Sequence, residues 1–152
     1  MKRPSPLVVV SIWVFAVSPS TRADDREAKE LEKLQGAWTL VSWQEGGKDR
    51  LDKQHPNLKV MIQKDVLSFR LENQPWKLDL KLKLDPSSTP QRVDLHSTIL
   101  EGQVYHGIYE LVGDELKICW SNSGRPRPES FNTQPGDGRF FLTLKRAKPP
   151  SK

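Results

Sequence analysis

The sequence predicts a mainly β protein, an antiparallel barrel of about eight strands preceded by one short α-helix. Three observations carry that prediction. Residues 76–84 read Trp-Lys-Leu-Asp-Leu-Lys-Leu-Lys-Leu, an unbroken alternation that puts apolar side chains on one face and charges on the other. Residues 107–120 hold two more alternating runs around Val112-Gly113-Asp114-Glu115, which reads as two strands joined by a tight turn. After one helical segment, strand-like runs follow each other with turn clusters between them and no helical crossover. Such strands pair antiparallel, and with one apolar face each they curl around a single core.

At 152 residues and 17.4 kDa the chain has the size of one domain. Its first 23 residues have the layout of a secretory signal peptide. Lys2 and Arg3 form a basic start, Leu7 to Val17 is an apolar run too short to span a bilayer, and Thr21-Arg22-Ala23 offers a cleavage site after Ala23. The expected organisation is a signal peptide over 1–23, the barrel over 24–148 and a disordered tail over 149–152. The expected location is secreted or periplasmic, with no membrane span in the mature chain.

Export also changes the charge argument. The chain's 24 basic and 19 acidic residues give +5. Lys2, Arg3 and Arg22 precede the cleavage point and no acid does, so the mature part keeps about +2. That balance argues against nucleic-acid binding. One cysteine, Cys119, cannot form an intrachain disulfide, and its neighbours Ile118 and Trp120 give it a sheltered strand position.

Along the chain, Asp24 to Leu34 reads as a helix with Asp24 as cap, Glu27 as its capping-box partner and Lys33 near the end. Ala28, Leu31 and Leu34 form its apolar stripe, and Gly36 ends it. The first strand begins at Ala37 and is apolar on both faces, until Gly46-Gly47 breaks it. Asp49 to Asn57 reads as a loop. Strands follow at 58–62, 66–71, 76–84, 92–97, 103–111 and 115–121, with a short one at 129–133 and the last at 139–146. Barrel closure would bring the first and last strands together and set Arg146 over the Trp38 ring.

Gly36-Ala37-Trp38 on the first strand and Arg146 on the last resemble the Gly-x-Trp and closing Arg of lipocalins and related calycins, implying a lipocalin-like barrel. A longer series spans about Glu30 to Lys148. It comprises Leu34-Gln35-Gly36-Ala37-Trp38, Leu40-Val41-Ser42, Gly107-Ile108-Tyr109, Gly113-Asp114, Leu116-Lys117-Ile118-Cys119, Arg127-Pro128 and Leu144-Lys145-Arg146. It resembles the small secreted domain family abundant in planctomycete bacteria, whose function is uncharacterised. Ala37 stands where Thr is common in that family, and the lead-in to Phe131 differs slightly. The resemblance carries over no catalytic residue and no ligand.

The residues themselves point to no enzyme. There is no Gly-x-Ser-x-Gly run, no phosphate-cradling glycine loop and no Cys-His spacing that argues for an activated thiol. Asp114 and Glu115 are adjacent carboxylates, but they sit where turn chemistry calls for acids. A two-residue turn at Glu101-Gly102 would set His96 and His106 on opposite faces, and His55 lies in a loop; no metal and no cofactor are expected.

What remains is binding. The expected barrel interior includes Trp38, Leu80, Tyr109, Trp120 and Phe140, which would either pack solid or line a cavity for a small apolar or amphipathic ligand. The alternative is a filled barrel acting as a protein-interaction domain of the cell envelope. It would bind through surface aromatics, Trp43 or Trp76, and through Arg125 and Arg127 on a proline-rigidified loop. Gly36, Trp38 and Arg146 are expected to be structural, and the protein a monomer.

Overall fold

A computed structural model describes residues 21–51 and 58–149. His55 and all of the expected signal segment before Thr21 lie outside these residues. Helix α1 (Arg22–Leu34) leads into β1 (Gly36–Glu45), β2 (Lys48–Asp49), β3 (Leu58–Gln63), β4 (Val66–Leu71), β5 (Lys77–Asp85), β6 (Gln91–Ser97), β7 (Val104–Val112), β8 (Glu115–Ser121) and β9 (Arg139–Arg146). From β3 onward each strand pairs antiparallel with the next, β1 pairs with β3, and β1 also pairs with β9. The result is a closed antiparallel barrel of eight strands, β1 and β3–β9, with the two-residue β2 folded back on β1. Among the described residues, closure leaves no long strand edge to recruit another chain.

The interior is built as the alternation predicts. Leu80, Leu82 and Leu84 of β5 face Phe69 and Leu67 of β4, Val93 and Leu95 of β6, and Leu116, Ile118, Leu142 and Leu144 from across the barrel, all buried. Burying each such side chain contributes roughly 1.5–3 kcal/mol. Tyr109 and Leu34 complete the packing.

The two apolar faces of β1 have a specific cause. Leu40 stands opposite Leu144 but Ser42 stands opposite Thr143, so Val41 is an extra residue in the ladder. This bulge reverses the parity of everything after it. Val41 turns out to solvent, and Trp43, opposite Leu142, joins the inside beside Phe69 at 6.3 Å between ring centroids.

Three expectations need correcting. The helix starts at Arg22, with Thr21 as its N-cap, and Asp24 lies within its first turn. Its buried side is Glu30, Leu31 and Leu34 with half-buried Glu27, while Ala28 is exposed. The segment 129–133 is not a strand but part of one long irregular connection. And β6 and β7 pair with Asp94 opposite His106 and His96 opposite Val104, so the connection is longer than two residues and the two histidines share the outer face. Ser97 organises that connection, its hydroxyl accepting from the Ile99 and Leu100 amides.

The barrel has two unlike ends. At the helix end, α1 lies against β5, and the Glu27 carboxylate accepts the Leu84 amide at 2.7 Å, a donor that β4 is too short to reach. At the other end, here the loop end, gather the β1–β2 turn, the β4–β5 and β6–β7 connections and the long segment 122–138.

Candidate functional site

The predicted interior residues lie where parity put them and belong to one buried cluster, with Phe140 packed against it. Trp38, Leu80 and Tyr109 are each 2% exposed and Trp120 is 7% exposed. Trp120 stacks on half-buried Phe140 at 5.5 Å near the loop end. Tyr109 sits beneath α1. Burial first, and then the nearby Glu30 carboxylate, push its phenol far above its ordinary pKa. These residues form one packed core.

Gly36, Trp38 and Arg146 form a structural clasp. Trp38 stands opposite Arg146 across the closing seam, with the guanidinium carbon 4.5 Å from the ring centroid. The same guanidinium donates to the Gln35 carbonyl at 2.9 Å and the Lys33 carbonyl at 2.8 Å, while the indole N–H donates to the Leu34 carbonyl at 2.9 Å. A cation thus closes the helix C-terminus, where the helix dipole favours it. Gly36 makes the turn from helix to strand at φ +115°, a backbone state that other residues rarely adopt.

Arg125 and Arg127, expected to act together, are separated by function. Arg127 turns inward, and its guanidinium donates to the carbonyls of Gly107 (2.6 Å) and Val93 (3.0 Å) and to the Asp94 carboxylate (2.8 Å). Asp94 also takes His106 Nδ1 at 2.8 Å. Burial alone would raise the Asp94 pKa, but the His106 and Arg127 hydrogen bonds win and hold it below the usual value. Arg127 is therefore a staple that pins segment 122–138 over the outer face of β6 and β7. Beneath that segment lie Ile108 and Cys119, both buried, with the tilted Phe131–Phe141 pair packed at 5.9 Å. Burial pushes the Cys119 thiol up to about 11, and it donates to the Asn132 carbonyl. It is a protonated, sheltered group at neutral pH.

Arg125 remains exposed and belongs to a second assembly. The β1–β2 turn docks on segment 122–138 through the Gly47 amide, which donates to Thr133 Oγ1 at 2.9 Å. Between the two runs a groove of about 460 Å³, lined by Glu45, Lys48, Arg50, Arg125 and Arg139 together with Gly46, Pro135, Gly136 and Gly138. Sequence reasoning missed Lys48, Arg50 and Arg139. Arg139 opens the last strand, Lys48 follows the Gly46-Gly47 break and Arg50 lies in the 49–57 loop, about ninety residues earlier in the sequence, with nothing local to link them.

The loop end also carries exposed apolar side chains. Trp76 is 39% exposed on the β4–β5 connection, and Ile99 and Leu100 are 69% and 55% exposed on the β6–β7 connection. Because β5 and β6 are hydrogen-bonded neighbours, these two connections adjoin. Trp43, the other candidate surface aromatic, is turned in by the bulge. Among the described residues no group of three or more His, Cys, Asp or Glu side chains is arranged to hold a metal ion, and no helix is long and apolar enough to cross a membrane. Comparison with protein-family models, with curated proteins and with solved structures finds no match.

Proposed function

We propose that this chain is an exported binding domain, without enzymatic activity, in which the barrel is a filled scaffold and recognition occurs at the loop end. The partner we favour is a protein of the cell envelope, met by a monomer. The observation that carries this reading is the contrast between a closed interior and the exposed Trp76, Ile99 and Leu100 on two adjoining connections. Clustered exposed aromatic and aliphatic side chains are what protein interfaces are built on. Export rests on the basic start, the short apolar run and the small-residue cleavage site before Asp24. The resemblance to the secreted planctomycete family is consistent with it.

The test is site-specific photo-crosslinking in the native host, with the reactive group placed at Leu100 and, as control, at Val112. Val112 is 67% exposed on the β7–β8 turn at the helix end. The reading expects one discrete protein adduct from position 100, lost on Ile99→Asp, and none from position 112. Equal labelling from both positions contradicts it.

A second reading has its own support. Trp43, Leu58, Leu78, Tyr105 and Phe140 are only partly buried against the core. Trp43, Leu58, Leu78 and Phe140 lie toward the loop-end halves of their strands. That ring suits a small apolar ligand held shallowly at the mouth. It expects quenching of tryptophan fluorescence by members of a lipid panel.

A further inference from the structure

We propose that the groove between the β1–β2 turn and segment 122–138 is an anion site for a small molecule bearing at least two phosphate or sulfate groups. This inference is independent of the protein-partner reading, because it rests on other residues. Four cations, Lys48, Arg50, Arg125 and Arg139, line the groove against one acid, Glu45. Little of that charge is spent internally, since Arg50 alone has an acid partner, Glu45 at a long 3.9 Å. Among the described residues no carboxylate lies within salt-bridge distance of Lys48, Arg125 or Arg139, and Arg139 makes only a long contact to Asn132 at 3.4 Å. Arg50 Nε is buried without a hydrogen-bond partner; the Glu45 carboxylate stands 3.9 Å away, too far to accept from it.

The neighbouring acids face elsewhere. Asp49 accepts from the Trp43 and Leu51 amides and the Ser42 hydroxyl, and the Leu51 bond above all lowers its pKa. Asp137 accepts from the Gln134 and Arg139 amides. Both are consumed in shaping the two loops that carry the cations. Arg125 is held in place as well. Its side chain lies across Gly138, where an added Cβ would come within 3.1 Å of Arg125 Cδ and Nε, and Gly138 has φ +65°.

Three guanidinium forks match tetrahedral oxyanions, to which each can donate two parallel hydrogen bonds. A net excess of three positive charges exceeds what one carboxylate compensates. The groove's volume admits more than a single oxyanion group. Each of these points selects a multivalent phosphate or sulfate compound over a simple carboxylate.

The probe is inorganic pyrophosphate, titrated into the mature protein by calorimetry at low ionic strength, with malonate as the dicarboxylate comparison. The expected result is saturable one-to-one binding that weakens as salt is added and exceeds malonate binding by about tenfold or more. Amide shifts in the unaltered protein should be confined to 45–50, 124–125 and 134–139. The double variant Arg125→Ala, Arg139→Ala should lose about tenfold or more in affinity. Arg70→Ala, which removes an exposed guanidinium paired with Asp79 on β5, should lose none. Absence of saturable pyrophosphate binding overturns the proposal. So does malonate binding equally well, or an equal loss in the Arg70 variant. A pyrophosphate site with no protein adduct at Leu100 would leave the groove standing and remove the protein-partner reading.

Discussion

Arg127 shows how a charged loop residue can be wholly structural. Its guanidinium satisfies two backbone carbonyls and a carboxylate at once, and its removal would take this donor from the Gly107 and Val93 carbonyls and leave half-buried Asp94 with His106 alone. Arg127→Ala should therefore lower unfolding stability by about 2–4 kcal/mol, measured by denaturant titration; a change below about 0.5 kcal/mol would show the staple to be idle. The same contact makes stability depend on pH. The Asp94 pKa is depressed on folding from an ordinary 3.8. Its contribution is thus present above that value and is lost as pH falls through the lower, folded value. Thermal midpoints taken from about pH 5 to about pH 2 should fall less steeply for Asp94→Asn than for the parent protein. Identical acid limbs would assign the slope to other carboxylates. None of this was readable from Arg-Pro-Arg-Pro as a sequence, because two of the three acceptors are main-chain carbonyls 20 and 34 residues away whose exposure depends on strand pairing.

The elements divide into those the alternation determines and those it does not. Residues 76–84 announced β5 because Leu78, Leu80, Leu82 and Leu84 meet the core, while Trp76, on the same predicted face, lies before the strand and is exposed. The β7–β8 turn was equally plain, since Val112 and Glu115 close around Gly113-Asp114. The pairing of β6 with β7 was not, because one Ser97 hydroxyl holds two amides and lengthens the connection, which changes the register and the face of His106. The bulge at Val41 was hidden too, since an extra residue in one strand shows only against its partner. Helix α1 is the instructive case. Its inner side carries Glu27 and Glu30 along with Leu31 and Leu34, an arrangement that a search for an apolar stripe discounts. The barrel end needs an acceptor for the Leu84 amide, and Glu27 supplies it. Leu34 is 1% exposed and seats the helix in the core, so Leu34→Ala should cost about 2–5 kcal/mol and expose Trp38 to collisional quenching. A stable variant with unchanged quenching would mean that the helix is dispensable as a cover.

For the whole molecule, the central claim is that the barrel is a filled scaffold whose binding chemistry lies outside it. Closure of β1 on β9 was anticipated from the Trp38–Arg146 parity, and the 4.5 Å cation–ring contact realises it. Whether so small a barrel packs solid or stays hollow is set by how side-chain volumes from eight strands meet, and no single stretch of sequence reports that sum. The buried Trp38, Tyr109 and Trp120, together with Leu34 from the helix, occupy the space a ligand would need. The same topology brings Lys48 and Arg50 to Arg125 and Arg139 across 75 to 91 residues of chain, which is why the loop end had to be seen assembled. The most direct test is native mass spectrometry of the protein purified gently from its own host. The account predicts a monomer at the bare polypeptide mass, with no hydrophobic molecule released on denaturation. A stoichiometric apolar small molecule that leaves only on unfolding would contradict it and return the binding site to the barrel interior.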